Sequence, residues 1–321
     1  TKDLILENTG IPQYLGYLND AILANLGEIN NKGFEIAINT KNISNENFRW
    51  TTDFNLSANK NKVVKLVKGI DLLGNAAPSY MSGSVPNTFI LRGGEEVGLF
   101  WGYDYKGVYD GTNLPAGTAT LPNGVAGDPL FADVDGNTKI EAADKQIIGN
   151  PNADFTYGLT NNFTYKNFDL NIFFQGSQGG EIFNMTNVQL VNGDSNTTVD
   201  YFNNAWTPTN TDSNLPRVGN NSNREISSRF VEDGSYLRLK NIALGYNLPT
   251  DVIEKYGMSN VRLSVSAQNL LTFTNYSGLD PEVSYFGRDG NNSRSANTLQ
   301  GFDFGNYPTV KTVSVSLNVK F

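Results

Sequence analysis

Residues 155–165 read FTYGLTNNFTY, and past Lys166 the chain continues NFDLNIFFQG (167–176). In the first run Phe155, Tyr157, Leu159, Phe163 and Tyr165 occupy alternate positions, with Asn161 the single polar residue among them. Thr156, Gly158, Thr160, Asn162 and Thr164 take the other face. In the second, Phe168, Leu170, Ile172 and Phe174 oppose Asn167, Asp169, Asn171 and Gln175. A period of two is the signature of a β-strand with one apolar and one polar face. The pattern recurs along the chain: Phe34, Ile36 and Ile38; Trp50, Phe54 and Leu56; Val313, Val315, Leu317, Val319 and Phe321.

Two features separate these strands from a soluble sandwich. They run about 10–13 residues, longer than the ~5–6 common in soluble sheets and matched to the ~9–11 that cross a bilayer. Their polar faces are mostly uncharged Asn, Thr, Ser and Gln. Ten strands are expected, near 1–6, 26–40, 48–60, 86–92, 97–109, 155–165, 167–177, 235–248, 260–274 and 309–321. The links between them alternate. Links 41–47, 93–96, 166 and 249–259 are short; 7–25, 61–85, 110–154, 178–234 and 275–308 are long. Alternation of this kind marks a transmembrane barrel with short periplasmic turns and long extracellular loops, and it places Phe321 at the periplasmic rim.

Composition narrows the function. The 321 residues contain 24 basic and 32 acidic side chains, for a net charge of −8, and neither His nor Cys. That removes imidazole bases, thiol nucleophiles, zinc knuckles and disulfides. The acidic balance offers no footprint for nucleic acid. Carboxylate pairs such as Asp280/Glu282, Glu95/Glu96 and Asp133/Asp135 lack a scaffold that would set two different pKa values, so no enzyme is expected. No run of about 18 apolar residues is present and no signal peptide is visible.

The spacing of 133–144 is that of a calcium loop. Ligand positions 1, 3, 5, 7, 9 and 12 are Asp133, Asp135, Asn137, the Lys139 carbonyl, Glu141 and Asp144, and Ile140 takes the apolar eighth position. Thr138 stands where glycine usually makes the sharp turn. A structural Ca2+ (or Mg2+) and a solvated acidic turn without an ion are both readings of this segment. FWGYDY (100–105) reads as an interfacial aromatic girdle, with stacking against sugar rings as the alternative. Segment 198–206 has the makings of a short helix. In the long loops, Tyr201, Trp206, Tyr285, Phe286 and Arg288 are candidates for contact with a ligand or a partner lid, or for plain loop packing.

Seven stretches together resemble the SusC/RagA family of TonB-dependent outer-membrane transporters. They are INNKGFEIAI (29–38), NFRWTTDFNLSANKNKV (47–63), GLFWGYDYKGVYDG (98–111), the long DVDGNTKIEAADKQIIGNPNADFTYGLTNNFTYKNFDLNIFFQGSQGGEIFN (133–184), SYLRLKNIALGYNLP (235–249), VRLSVSAQNLLTFTNYSGLDPE (261–282) and VSVSLNVKF (313–321). The family commonly has D-x-N-G-D-G-x-I-x-x-x-D in the metal-like loop, from which Asn137 and Thr138 depart. The resemblance implies that residues 1–321 are the C-terminal part of a 22-stranded barrel, with plug and N-terminal domain absent and both sheet edges paired with the remaining barrel. It implies a multi-pass protein of a Gram-negative outer membrane, in contact with lipid and lipopolysaccharide, importing glycans or peptides. It further implies energy from TonB through the missing N-terminal part, and a SusD-like surface lipoprotein as lid. Phe321 resembles the terminal residue read by the barrel-assembly machinery. The alternatives are a TonB-dependent receptor of the siderophore type, or a structural or adhesive barrel subunit of a larger complex.

Overall fold

The computed structural model describes residues 4–9, 21–66, 71–74, 87–191, 196–219, 221–283 and 300–321. Eight antiparallel strands form one sheet in chain order: β1 (Leu4–Thr9), β2 (Ala21–Ser44), β3 (Phe48–Lys65), β4 (Phe155–Tyr165), β5 (Phe168–Gln178), β6 (Tyr236–Asn247), β7 (Asn260–Thr274) and β8 (Thr312–Lys320). The links 45–47, 166–167 and 248–259 are short and share one rim; 66–154, 179–235 and 275–311 are long and leave from the other.

The register lines up apolar side chains sideways across the sheet. Ile43, Trp50, Phe163, Leu170, Leu244, Val265 and Val315 are successive cross-strand partners over seven strands. Nearer the short-turn rim, Phe48, Tyr165, Phe168 and Tyr246 make an aromatic row, with Phe168 and Tyr246 ring centroids 4.5 Å apart. From that row to the Phe34–Ala58 pair is about ten residues. At ~3.3 Å each this is ~33 Å of strand, and at a tilt of ~40° it spans ~25 Å of height. That is the height of the apolar band on an outer-membrane barrel. Within the band Asn161 is not an orphan: its Oδ1 accepts from Trp50 Nε1 (2.9 Å) and Thr52 Oγ1 (2.7 Å). Polar atoms in a greasy layer need such partners.

Two of the ten expected strands do not join this wall. Segments 86–92 and 97–109 enter small sheets built from the long links. Phe89–Leu91 and Leu99–Gly102 pair with each other and with Leu72–Gly74 and Gln146–Gly149. Tyr105–Val108 pairs with Pro129–Ala132, which also holds Thr118–Ala119. A further sheet joins Glu181–Asn184, Val231–Asp233 and Phe302–Asp303. Losing two strands and a short link together preserves the alternation of rims. The girdle assigned to 100–105 is likewise corrected. Phe100 is fully buried, and the interfacial aromatics are those of the rim row, because the 100–105 segment packs on both faces.

All three long links contribute to one apolar core: Phe89 and Phe100 from the first, Phe183, Met185 and Phe230 from the second, and Phe302 from the third. A smaller core gathers Tyr103, Ala119, Phe131 and Ile140. The long loops therefore form a packed headpiece on one rim of the wall. The expected short helix is present as Val199–Asn204, capped by Thr198 Oγ1 accepting from Tyr201 N at 3.0 Å.

Candidate functional site

The face of the wall opposite the apolar rows carries a lateral ladder of polar side chains. Asn241 Nδ2 donates to Asn171 Oδ1 (2.8 Å), Asn171 Nδ2 to Asn162 Oδ1 (2.7 Å), and Asn162 Nδ2 to Asp53 Oδ2 (3.4 Å). Four strands are thus tied through their side chains as well as their backbones. Asp53, Asn55, Asp169 and Asn171 all lie on this face, as alternation requires. Toward the short-turn rim Arg262 grips Asp169 in a bidentate ion pair, with Nη2 to Oδ2 at 2.7 Å. The two residues stand on β7 and β5, with β6 between them. The guanidinium crosses at Gly245, where an added Cβ would lie 2.1 Å from Arg262 Nη2. The missing side chain at Gly245 leaves room for that approach.

At the long-loop rim Arg238 is 1% exposed and fully engaged. Its guanidinium donates to Thr272 Oγ1 (2.9 Å), Thr309 Oγ1 (2.6 Å), Asp280 Oδ1 (2.6 Å) and the Glu282 carboxylate. Lys240 Nζ reaches Glu282 Oε2 at 2.8 Å. Asp280 also accepts from the Thr309 backbone and hydroxyl. Burial alone would push the Asp280 carboxyl up; hydrogen bonds from Thr309 and Arg238 overcome it and hold the group at about 2. This network pins both ends of the 275–311 link to the wall. Neither Arg238 nor Arg262 was singled out by sequence, because a lone arginine among alternating residues looks like an ordinary wet-face position.

In the 133–144 loop the carboxylates of Asp133, Asp135 and Asp144 converge within 4.8 Å of one another. Glu141 is not in that group; its Oε1 accepts from Asn137 Nδ2 at 2.8 Å. Asp133 accepts backbone N–H groups of Gly136, Asn137 and Thr138, and Asp144 those of Val134 and Glu141. Thr138 adopts φ +66°, so the sharp turn is made without the usual glycine. Ile140 is buried in the smaller core, anchoring the loop to the headpiece. Beside it burial, then the Glu225, Asp144 and Glu141 carboxylates, push the Tyr103 hydroxyl up to about 12.

The aromatic contact candidates fare differently. Tyr201 and Trp206 are 4% and 9% exposed. Tyr201 donates its hydroxyl to the Pro216 carbonyl at 2.8 Å, and the Trp206 indole packs against the backbone of Gly127. Both are packed within the headpiece, as the loop-packing reading has it, and Tyr201 belongs to the core that the three links share. Tyr285, Phe286 and Arg288 lie outside the described residues. Phe321 ends the chain at the short-turn rim, 85% exposed.

Comparison with known proteins agrees with this geometry. No family model matches the chain. It is 51% identical over its full length to the TonB-dependent receptor P3 of Formosa agariphila, of which it covers 31%. It is 28% identical over 99% of its length to the TonB-dependent receptor SusC of Bacteroides thetaiotaomicron, covering 29%. Over its whole length this chain matches part of TonB-dependent receptors, SusC among them. It spans about a third of the length of the curated relatives it matches. Its fold resembles that of the RagAB peptide importer in an open-open state, at TM-score 0.75 and 20% identity over the whole chain and 31% of that one. A structure of the RagAB peptide transporter aligns at TM-score 0.73. The fold of the sheet and its headpiece is thus common to chains of low identity.

Proposed function

We propose that the intact receptor imports polar nutrients, glycans or peptides, across an outer membrane, and that residues 1–321 supply part of its barrel wall and its extracellular headpiece. The single observation that carries the reading is the two-sided wall: an apolar band ~25 Å high on one face, and on the other the Asp53–Asn162–Asn171–Asn241 ladder. The ladder satisfies its own hydrogen bonds sideways and is nearly neutral, which suits passage of neutral, hydrated solutes. Coupling to TonB, a plug and the rest of the barrel lie in the part of the receptor outside this chain. A SusD-like lipoprotein fits over a headpiece that leaves Val199, Phe202 and Leu279 exposed among its polar loop residues. Named relatives and the peptide importer of similar fold favour nutrient import over an adhesive role.

The test is uptake by cells lacking the receptor gene, with and without the full-length receptor restored. Labelled oligosaccharides and labelled peptides are offered separately. Accumulation of one class only with the restored receptor assigns the substrate; accumulation of neither defeats the import reading.

We further propose that the 133–144 loop takes a structural Ca2+. Asp133, Asp135 and Asp144 offer converging hard oxygens, and Asn137, the Lys139 carbonyl and Glu141 stand at the remaining ligand positions. Such an ion would brace a loop already seated by Ile140. Calorimetric titration of the full-length receptor with Ca2+ checks this: saturable binding lost in Asp133→Asn/Asp135→Asn supports it, and identical titrations of wild type and variant refute it.

A further inference from the structure

On the apolar side of the wall the sequence changes character abruptly above the band. Strands β2 and β3 continue for several residues past the last apolar pair, Phe34 and Ala58. The next pair up is Lys32 opposite Lys60, and the next is Asn30 opposite Lys62. Alternation keeps all four on the outward face, in line with Ile36, Ile38, Phe54 and Leu56. Three lysines therefore sit within one step of each other in a chain whose net charge is −8. Like charges placed directly opposite across two strands destabilise the pairing. Yet no ion pair within the described residues relieves them, although Glu95 and Glu96 stand across the same groove of about 350 Å³. Glu96 instead accepts from Asn150 Nδ2 at 3.0 Å.

Height decides what the lysines face. Lys60 is about twelve residues above the aromatic rim row at Phe48, or ~30 Å of vertical rise by the same strand arithmetic. The apolar band ends near ~25 Å, so the ammonium groups lie ~5 Å beyond it, within the headgroup layer of the long-loop leaflet. A soluble anion would find the charges but no use for the greasy strip beneath them. A phosphorylated lipid uses both, with its phosphate among Lys32, Lys60 and Lys62 and its acyl chains along Phe34, Ile36 and Ile38.

We propose that Lys32, Lys60 and Lys62 form a binding site on the outer wall for the phosphate of a membrane lipid in the long-loop leaflet. The proposal rests on the membrane-spanning reading above. Its test uses the full-length receptor in detergent and in vesicles, with diphosphoryl lipid A as the probe, dephosphorylated lipid A and inorganic phosphate as the other arms, and bound lipid counted by native mass spectrometry. Lipid A is expected to remain bound, the dephosphorylated lipid to be lost, and inorganic phosphate not to displace lipid A. Each lysine contributes roughly fivefold to attraction, so Lys32→Gln/Lys60→Gln/Lys62→Gln weakens retention on the order of 100-fold. Lys255→Gln, at the opposite rim, leaves retention unchanged. Because the triple variant relieves like-charge opposition, its lipid-free form melts no lower than wild type. Equal retention by wild type and triple variant, or equal retention of phosphorylated and dephosphorylated lipid, overturns the site. A receptor that fails to enter vesicles at all overturns the membrane reading itself, which separates the two failures.

Discussion

In the wall, Phe168 leaves 48% of its surface exposed, and Leu244, Val265 and Val315 beside it are exposed to a similar or greater degree. In the headpiece, Phe100 is fully buried, in edge-on contact with Phe183 and Phe302 at centroid distances of 5.6 and 4.9 Å. The same residue type meets two different apolar environments. Headpiece aromatics are removed from water by one another, as in any globular core. Wall aromatics are left for a solvent that is itself apolar, and alternate with a face that must stay wet. The difference shows that exposure of large apolar residues carries information only with its pattern: scattered it means little, but aligned across seven strands it marks lipid.

The contrast is broken most severely by truncation and by stranded charge. Phe100→Ala should cost the headpiece about 3–5 kcal/mol through lost burial and a cavity. Phe168→Ala should cost far less, since lipid chains refill the space. Limited proteolysis of the long loops, set against heat-resistance of the barrel, reads the two separately. Arg238→Met belongs with the large effects: it leaves Asp280 buried without its cation, at about 3–5 kcal/mol. The expected sign is release of the 275–311 link to proteolysis while the wall remains folded.

A charge on the lipid face sharpens the comparison next. Val265→Arg, in the middle of the apolar row, should cost about 2–4 kcal/mol of barrel stability. Val199→Arg, on a headpiece helix and 77% exposed, should stay within about 0.5 kcal/mol. Equal effects in a denaturant titration of the vesicle-inserted receptor would mean that both valines face water.

Acid should act on the junction between the two regions. The Asp280 carboxyl is held at about 2 in the folded protein, against ~3.9 for an unperturbed aspartate. A depressed folded pKa stabilises above the unfolded value and loses that contribution as pH falls through the folded one. The 275–311 link should therefore loosen between about pH 4 and 2, and Asp280→Asn should remove that part of the acid sensitivity in hydrogen exchange of the Thr309 amide.

The wall was legible in the sequence because two solvents enforce a period of two over many residues, as FTYGLTNNFTY shows. The headpiece was not, for the same reason inverted. Segments 86–92 and 97–109 have strand composition, but their faces are set by tertiary packing among three distant links. Nothing local distinguishes Leu99–Gly102 from a wall strand. Strand β3 outran its expected end because NKVVK (61–65) carries no alternating apolar face to report it, whereas β2 runs past both of its expected ends, at 21–25 and at 41–44. Of the candidate site, the convergence of Asp133, Asp135 and Asp144 was readable from spacing. The burial of Tyr201, Trp206 and Arg238 was not, since each depends on partners more than ten residues away.

The smallest expected effect separates the two environments most cleanly. On a water-exposed sheet, Asn161→Leu would be close to neutral, because water would take over from the lost amide. In the apolar band no water is at hand, and Trp50 Nε1 and Thr52 Oγ1 both donate to Asn161 Oδ1. Removing that acceptor strands two donors, at about 1–2 kcal/mol after side-chain rearrangement. The gain in apolar surface from leucine offsets part of this, leaving a net loss near 1 kcal/mol. Thr52→Val/Asn161→Leu should recover part of it, since one donor disappears with its acceptor, while the loss of the Thr52 hydroxyl as acceptor for Asn42 Nδ2 (2.7 Å) keeps the recovery incomplete. A receptor in which the single change is neutral in vesicles and the double change adds nothing would place this face in water. The measured ordering of wild type, double and single variants is therefore a direct reading of which solvent the wall meets.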